Sequence, residues 1–251
     1  MQRNLFFINP RTEVEPVLTI SGDETRHLCK VLRKKAGEII HLSDGEKYWH
    51  VVRIVEIREE RLTLEILETH DIKPVPGRRV VLVIGLPKRS SMELILQKAT
   101  ELGVDSIVPV RTTHAFYKNF NDETMKRWDR IVREAAKQSG RHRLLRIAPV
   151  QDWNALFQKP FGGARIILHE QGNTRPLQDA LSRMEEKEVT VCIGPEGGFT
   201  PEEVARAEEH GFDPVHLGPQ ILRTETAAIA LSAILRYAAG GSDSQGKGRL
   251  P

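Results

Sequence analysis

The sequence predicts a mixed α/β chain in two parts: a small N-terminal β-barrel, then a larger domain on a mostly parallel sheet. Three observations carry this reading. The first 70 residues are brief runs of β-branched and apolar residues separated by turn signals, the pattern of a small barrel. Lys73-Pro74-Val75-Pro76-Gly77 places two prolines and a glycine where they end any regular element, so it reads as a linker. Beyond it, strand-length apolar runs alternate with helical patterns, which calls for crossover connections and a parallel sheet.

In the first part, strands are expected at residues 5–8, 17–20, 38–42, 48–57 and 61–67, with Asp44-Gly45 as a tight turn. One helix interrupts them. Gly22-Asp23-Glu24-Thr25 offers its start, and His27, Leu28, Val31 and Leu32 recur at helical spacing. In the second part, residues 80–84 form a continuous apolar run, the mark of a strand buried on both faces. A helix over 91–102 follows, with Gly103 placed as its C-terminal cap. Strands at 107–110, 165–168, 189–193 and 214–217 then alternate with helices at 121–139, 175–184, 201–210 and 224–239. The expected boundaries are 1–73 for the barrel and 74–240 for the sheet domain. Residues 241–251, rich in Gly and Ser, read as a disordered tail.

Composition excludes several classes. No stretch approaches the ~20 consecutive apolar residues of a membrane span. The N-terminus reaches Pro10 and charge too soon for a signal peptide. Cys29 and Cys192 show no metal-ligand spacing and fit a reducing compartment, so a cytoplasmic protein is expected. The nine histidines are scattered without His-Glu-x-x-His, and no metal is expected. Charge is uneven: residues 1–73 carry a net −1, residues 74–146 a net +8 and residues 147–251 a net −4. The central excess suits a polyanion, because each neutralised phosphate releases a counterion; the plainer reading is a solvated helix face.

Parallel sheets bind ligands at the C-terminal ends of their strands, so the loops there should hold the chemistry. Gly194-Pro195-Glu196-Gly197-Gly198-Phe199 follows one strand, and Thr200-Pro201-Glu202-Glu203 then opens a capped helix. The glycines permit close backbone approach, yet their spacing matches neither a dinucleotide fingerprint nor a P-loop. The second loop, Leu217-Gly218-Pro219-Gln220-Ile221-Leu222-Arg223-Thr224-Glu225-Thr226, leads into an alanine-rich helix. Thr224 and Glu225 suit a helix start, but Arg223 opposes the dipole there and calls for an anionic partner. The third loop is Leu168-His169-Glu170-Gln171-Gly172.

Together these loops resemble the RsmE family, bacterial SPOUT-class enzymes that methylate N3 of one uridine in 16S ribosomal RNA of the small subunit. Gln97-Lys98-Ala99-Thr100-Glu101-Leu102-Gly103-Val104 and Glu134-Ala135-Ala136-Lys137-Gln138-Ser139-Gly140-Arg141 extend the resemblance. His27-Leu28, Val31-Leu32-Arg33 and Asp44-Gly45 are similar to the family's small PUA-like RNA-binding barrel. The resemblance implies a trefoil knot in the C-terminal domain, a homodimer, and S-adenosylmethionine as cofactor. Carried over, Leu168, Gly194, Glu196, Gly197, Gly198, Leu217, Ile221 and Leu222 would line the cofactor pocket.

Arg33, Arg127, Arg130, Arg133, Lys137, Arg141 and Arg143 are the candidates to hold the surrounding RNA by its backbone, the alternative for each being a solvated surface charge. Uridine N3 is a poor nucleophile while protonated, so the enzyme must help remove that proton or stabilise the charge left on the ring. Arg223 is expected to stabilise it; Glu225 is either the base or an ordinary helix cap. Leu5, His114 and Gln220 depart from a frequent arginine of the family.

Overall fold

A computed structural model describes residues 5–8, 16–21, 34–58, 61–117, 121–158 and 160–240. The helix expected between Gly22 and Leu32, Arg33, Cys29 and the tail 241–251 lie outside the described residues. The chain divides into two compact units: residues 1–74 with 133–144, and residues 75–132 with 145–251.

In the first unit, β1 (Leu5–Phe7), β2 (Val17–Ser21), β3 (Ile39–Ser43), β4 (Tyr48–Arg58) and β5 (Arg61–Asp71) form one sheet in the order β1-β3-β4-β5-β2. β1 runs parallel to β3; the other pairings are antiparallel. Period-two alternation sends Ile40, Leu42, Val52, Ile54, Leu62 and Leu64 to one face, where Phe6, Leu18 and Ile20 complete a buried core. Asp44 makes the β3–β4 turn by accepting bonds from the backbone N–H groups of Glu46, Lys47 and Tyr48. Gly45 follows at φ +76°, and a side chain there would strike Leu144 at 2.6 Å. β5 runs to Asp71, four residues past the expected end, because Glu68 to Asp71 pair with Val51 to Tyr48 across the sheet.

The second unit holds a parallel sheet in the order β11-β13-β10-β12-β6-β7-β8, with β9 also on β7. Its strands are β6 (Arg79–Gly85), β7 (Ser106–Arg111), β8 (Arg146–Ile147), β9 (Gln151–Asp152), β10 (Ala164–Leu168), β11 (Arg175–Pro176), β12 (Glu188–Ile193) and β13 (Asp213–His216). Central β6 and β12 bury Val80, Leu82, Val83, Ile84, Val189, Val191, Cys192 and Ile193, as a strand covered on both faces must. Burial pushes the Cys192 thiol well up, so it packs as a small apolar group.

The helices are α1 (Arg89–Glu101), α2 (Asp122–Ser139), α3 (Trp153–Leu156), α4 (Leu177–Ser182), α5 (Pro201–Glu209) and α6 (Thr224–Gly240). α2 buries Trp128, Val132, Ala135 and Ala136, one stripe at helical spacing. α5 carries the expected cap: Thr200 Oγ1 accepts from Glu203 N, and Glu203 returns the bond to Thr200 N. One expectation changes: a helix was expected from residue 175, but Arg175 and Pro176 pair with Val215 and His216 as an edge strand. Proline is tolerated there and ends the strand where α4 begins.

Candidate active site

Strands β13, β10 and β12 are neighbours, so the loops at their C-terminal ends open side by side. They enclose a cavity of about 420 Å3. All eight residues expected to line a cofactor pocket lie on it: Leu168, Gly194, Glu196, Gly197, Gly198, Leu217, Ile221 and Leu222. Arg223 lies on it too. Glu225, one residue into α6 from Thr224, is not among the lining residues; its Oε2 is buried without a hydrogen-bond partner among the described residues.

The glycine loop is held from several sides. Gly198 N donates to Pro195 O at 2.8 Å and closes a turn, with Gly198 at φ +69°. A Cβ on Gly194 would meet the Gly198 backbone at 3.1 Å, which explains the glycine. Thr224 Oγ1 donates to Gly194 O, so the hydroxyl at the start of α6 ties two of the lining loops together. Glu196 Oε1 accepts from Lys88 N at 3.0 Å and links the loop after β12 to the loop after β6. Buried Glu203 accepts from Thr113 N and Thr113 Oγ1, which binds the loop after β7 to the start of α5.

The donor set fits S-adenosylmethionine. The apolar part of the wall comes from Ile193, Phe199, Val215, Leu217 and Ala227, suited to a purine and to the methylene groups of a methionine chain. Exposed Glu170 and Glu196 supply negative charge for an ammonium or sulfonium, and the glycines leave backbone groups open to the ligand. Ile221 is 79% exposed although it lies on the cavity, an apolar side chain with surface left to cover.

A family described as RNA methyltransferase domain matches residues 74–236, and one described as RNA methyltransferase PUA domain matches residues 20–67. Ribosomal RNA small subunit methyltransferase E of Bacillus subtilis is 31% identical over 233 residues, covering 88% of this chain and 91% of its own. The Mycobacterium bovis protein of that name is 31% identical over 255 residues, covering 96% of each. This chain belongs to the ribosomal RNA small subunit methyltransferase E family. Among solved structures, this methyltransferase is similar to the Neisseria gonorrhoeae family member bound to S-adenosyl methionine. The TM-score is 0.82 at 28% identity, covering 94% of this chain and 97% of that one. A Legionella pneumophila methyltransferase in complex with SAM gives a TM-score of 0.84 at 26% identity, covering 95% and 98%.

The residues expected to hold RNA fare unevenly in this methyltransferase. Arg127 donates from Nε and Nη2 to both oxygens of Glu93, a bidentate pair that engages its charge. Lys137 pairs with Glu134 at 3.0 Å with its side chain only 14% exposed, and lies 5.9 Å from the Phe6 ring centroid. Arg143 donates to Ile72 O, and the Arg133 guanidinium lies 5.9 Å from the Phe7 ring centroid. Arg141 is half-buried, and Arg130 is exposed.

Sequence reasoning missed His216, whose Nδ1 accepts from Gly218 N on the cavity wall. It also gave His114 no structural place. His114 Nδ1 approaches Gly198 O at 3.3 Å, and a Cβ on Gly197 would meet His114 Cβ at 2.9 Å. Only the strand order, which brings the loop after β7 close to the glycine loop, reveals that contact.

Proposed function

We propose that this chain transfers a methyl group from S-adenosylmethionine to N3 of a uridine in 16S ribosomal RNA of the small subunit. The observation that carries the proposal is the three-loop cavity, with a glycine loop on one wall and Arg223 exposed on another. The names of the relatives and the cofactor in the N. gonorrhoeae structure support it. When bound, S-adenosylmethionine supplies an electrophilic methyl on a sulfonium. The chain's part is to position both reactants and to lower the cost of charge on the uracil ring. Arg223 precedes α6 directly and its guanidinium is exposed, so it is placed to stabilise the anion over O2, N3 and O4. Glu225 fits better as a favourable charge in the first turn of α6 than as the base, because it stays off the cavity lining.

The finer reading includes the RNA grip, the dimer and the knot. Along the chain the two domains divide at 73/74, with residues 133–144 grouping back with the first, and exposed Arg130 meets the RNA by its backbone. The target base leaves its stack to reach the cavity. Exposed Ile234 and Tyr237 on α6, and Leu94 on α1, support a homodimer. The Thr224–Gly194 tie between the loops after β12 and β13 is consistent with a knotted C-terminal segment. Action on ribosomal RNA supports a cytoplasmic location.

The test is to incubate unmodified small subunits with the protein and labelled S-adenosylmethionine, then identify nucleosides by mass spectrometry. A 3-methyluridine product is expected; a different methylated nucleoside, or none, would refute the proposal.

A further inference from the structure

Phe116 is 60% exposed, whereas Phe6, Phe7, Phe157, Phe199 and Phe212 are all buried. Its exposure is not that of a loose loop. Phe116 N donates to Leu86 O at 2.9 Å, Leu86 N donates to Val110 O at 3.0 Å, and Ala115 N closes a turn onto Thr112 O. The backbone is therefore anchored to β6 and β7, and the ring is presented rather than collapsed. Its neighbour Tyr117 is half-buried, and burial pushes that phenol up to about 12.

Lys88 Nζ lies 5.6 Å from the Phe116 ring centroid. Among the described residues no carboxylate pairs with that ammonium, and Arg89 beside it is exposed. The Lys88 backbone is held at 3.0 Å by Glu196, a residue of the cavity wall. An aromatic face and a cation thus stand on fixed backbone at the same ends of the parallel strands as the cavity, in the segment with a net charge of +8.

We propose that Phe116 and Lys88 form a subsite for a single-stranded nucleotide flanking the target, its base stacked on the Phe116 ring and its phosphate met by Lys88. The chemistry matches the parts: every base offers a π-face, and a cation beside the platform meets the backbone charge. Extruding the target leaves its neighbours unstacked, and an aromatic platform replaces the lost stacking. The subsite rests on the function proposed above, but its binding can be read without turnover.

The experiment uses the full chain and fluorescein-labelled oligouridine, with S-adenosylmethionine affinity and light scattering measured in parallel. Phe116→Ala should weaken oligouridine binding about tenfold. Phe116→Trp should hold it within about twofold, and Lys88→Ala should flatten its salt dependence by about one counterion. Cofactor affinity should stay at the wild-type value in all three. The subsite is overturned if the wild type does not bind oligouridine or if Phe116→Ala binds it like the wild type. It is also overturned if Phe116→Ala changes the oligomeric state, which would make the ring a contact between copies of this chain. Weakened binding by Phe116→Ala in a wild type that forms no 3-methyluridine would keep the subsite and reject the methylation reading.

Discussion

Arg223 occupies a place where a cation costs energy. Ala227 N donates to Arg223 O, so Arg223 stands at the helix boundary, and a positive charge there opposes the dipole of α6. Its side chain is exposed on the cavity instead of being buried in an ion pair, which suits a group waiting for an anion that forms during reaction. Arg223→Ala should lower kcat about 10²–10³-fold, the usual loss for one preorganised charge-stabilising group, with S-adenosylmethionine affinity within a few-fold of wild type. Single-turnover kinetics and a cofactor titration check this, and wild-type turnover would remove Arg223 from the mechanism. Arg223 stands out in the sequence because a cation at a helix start opposes the dipole there. Glu225 was not separable there, because a glutamate in the first turn serves a helix start whether or not it does chemistry, and only the cavity lining distinguishes the two.

The elements work by fixing strand ends against one another. Gly85, the last residue of β6, is buried; a Cβ on it would meet the Pro195 ring at 2.6 Å and Pro195 N at 3.0 Å. Proline has no slack to move aside, so the glycine loop can sit where it does only because residue 85 lacks a side chain. Gly85→Ala should cost about 1–3 kcal/mol by overpacking and should also weaken cofactor binding by displacing the loop. Thermal unfolding with a cofactor titration tests the coupling; a lower melting temperature with unchanged affinity would show that loop and strand end are independent. Sequence periodicity found the longer elements of the sheet domain because their apolar runs are long enough to carry a pattern. It missed β8, β9 and α3, where two-residue strands and a four-residue helix hold too few side chains to show a period. Phe116 was likewise invisible: an aromatic in a loop has no spacing, and its exposure depends on the Leu86 anchor.

At the scale of the molecule, the chain order and the packing order differ. Residues 133–144 group with the N-terminal sheet although they follow the linker by some 60 residues. Ser43 Oγ donates to His142 O, Leu144 N donates to Gly45 O, and Ala136 packs with Leu5 and Phe7. No composition shift marks this division, because α2 runs unbroken through residue 133. It also explains why several basic residues of that stretch do not stand free: Lys137 and Arg143 spend their charges inside the first unit. The charge excess therefore fits the chain's class and does not by itself name the residues that touch RNA.

If the three-loop cavity takes S-adenosylmethionine, Ile221 reports on it with little disturbance of the fold. Being 79% exposed, its side chain contributes little to folding, yet it lines the cavity and would be covered by a bound cofactor. Calorimetric titration of S-adenosylmethionine into the wild type and Ile221→Ala is the most direct measurement. One cofactor per chain is expected for the wild type, and about tenfold weaker binding for a variant with an unchanged melting temperature. Equal affinity in the two proteins, or no binding by the wild type, would contradict it.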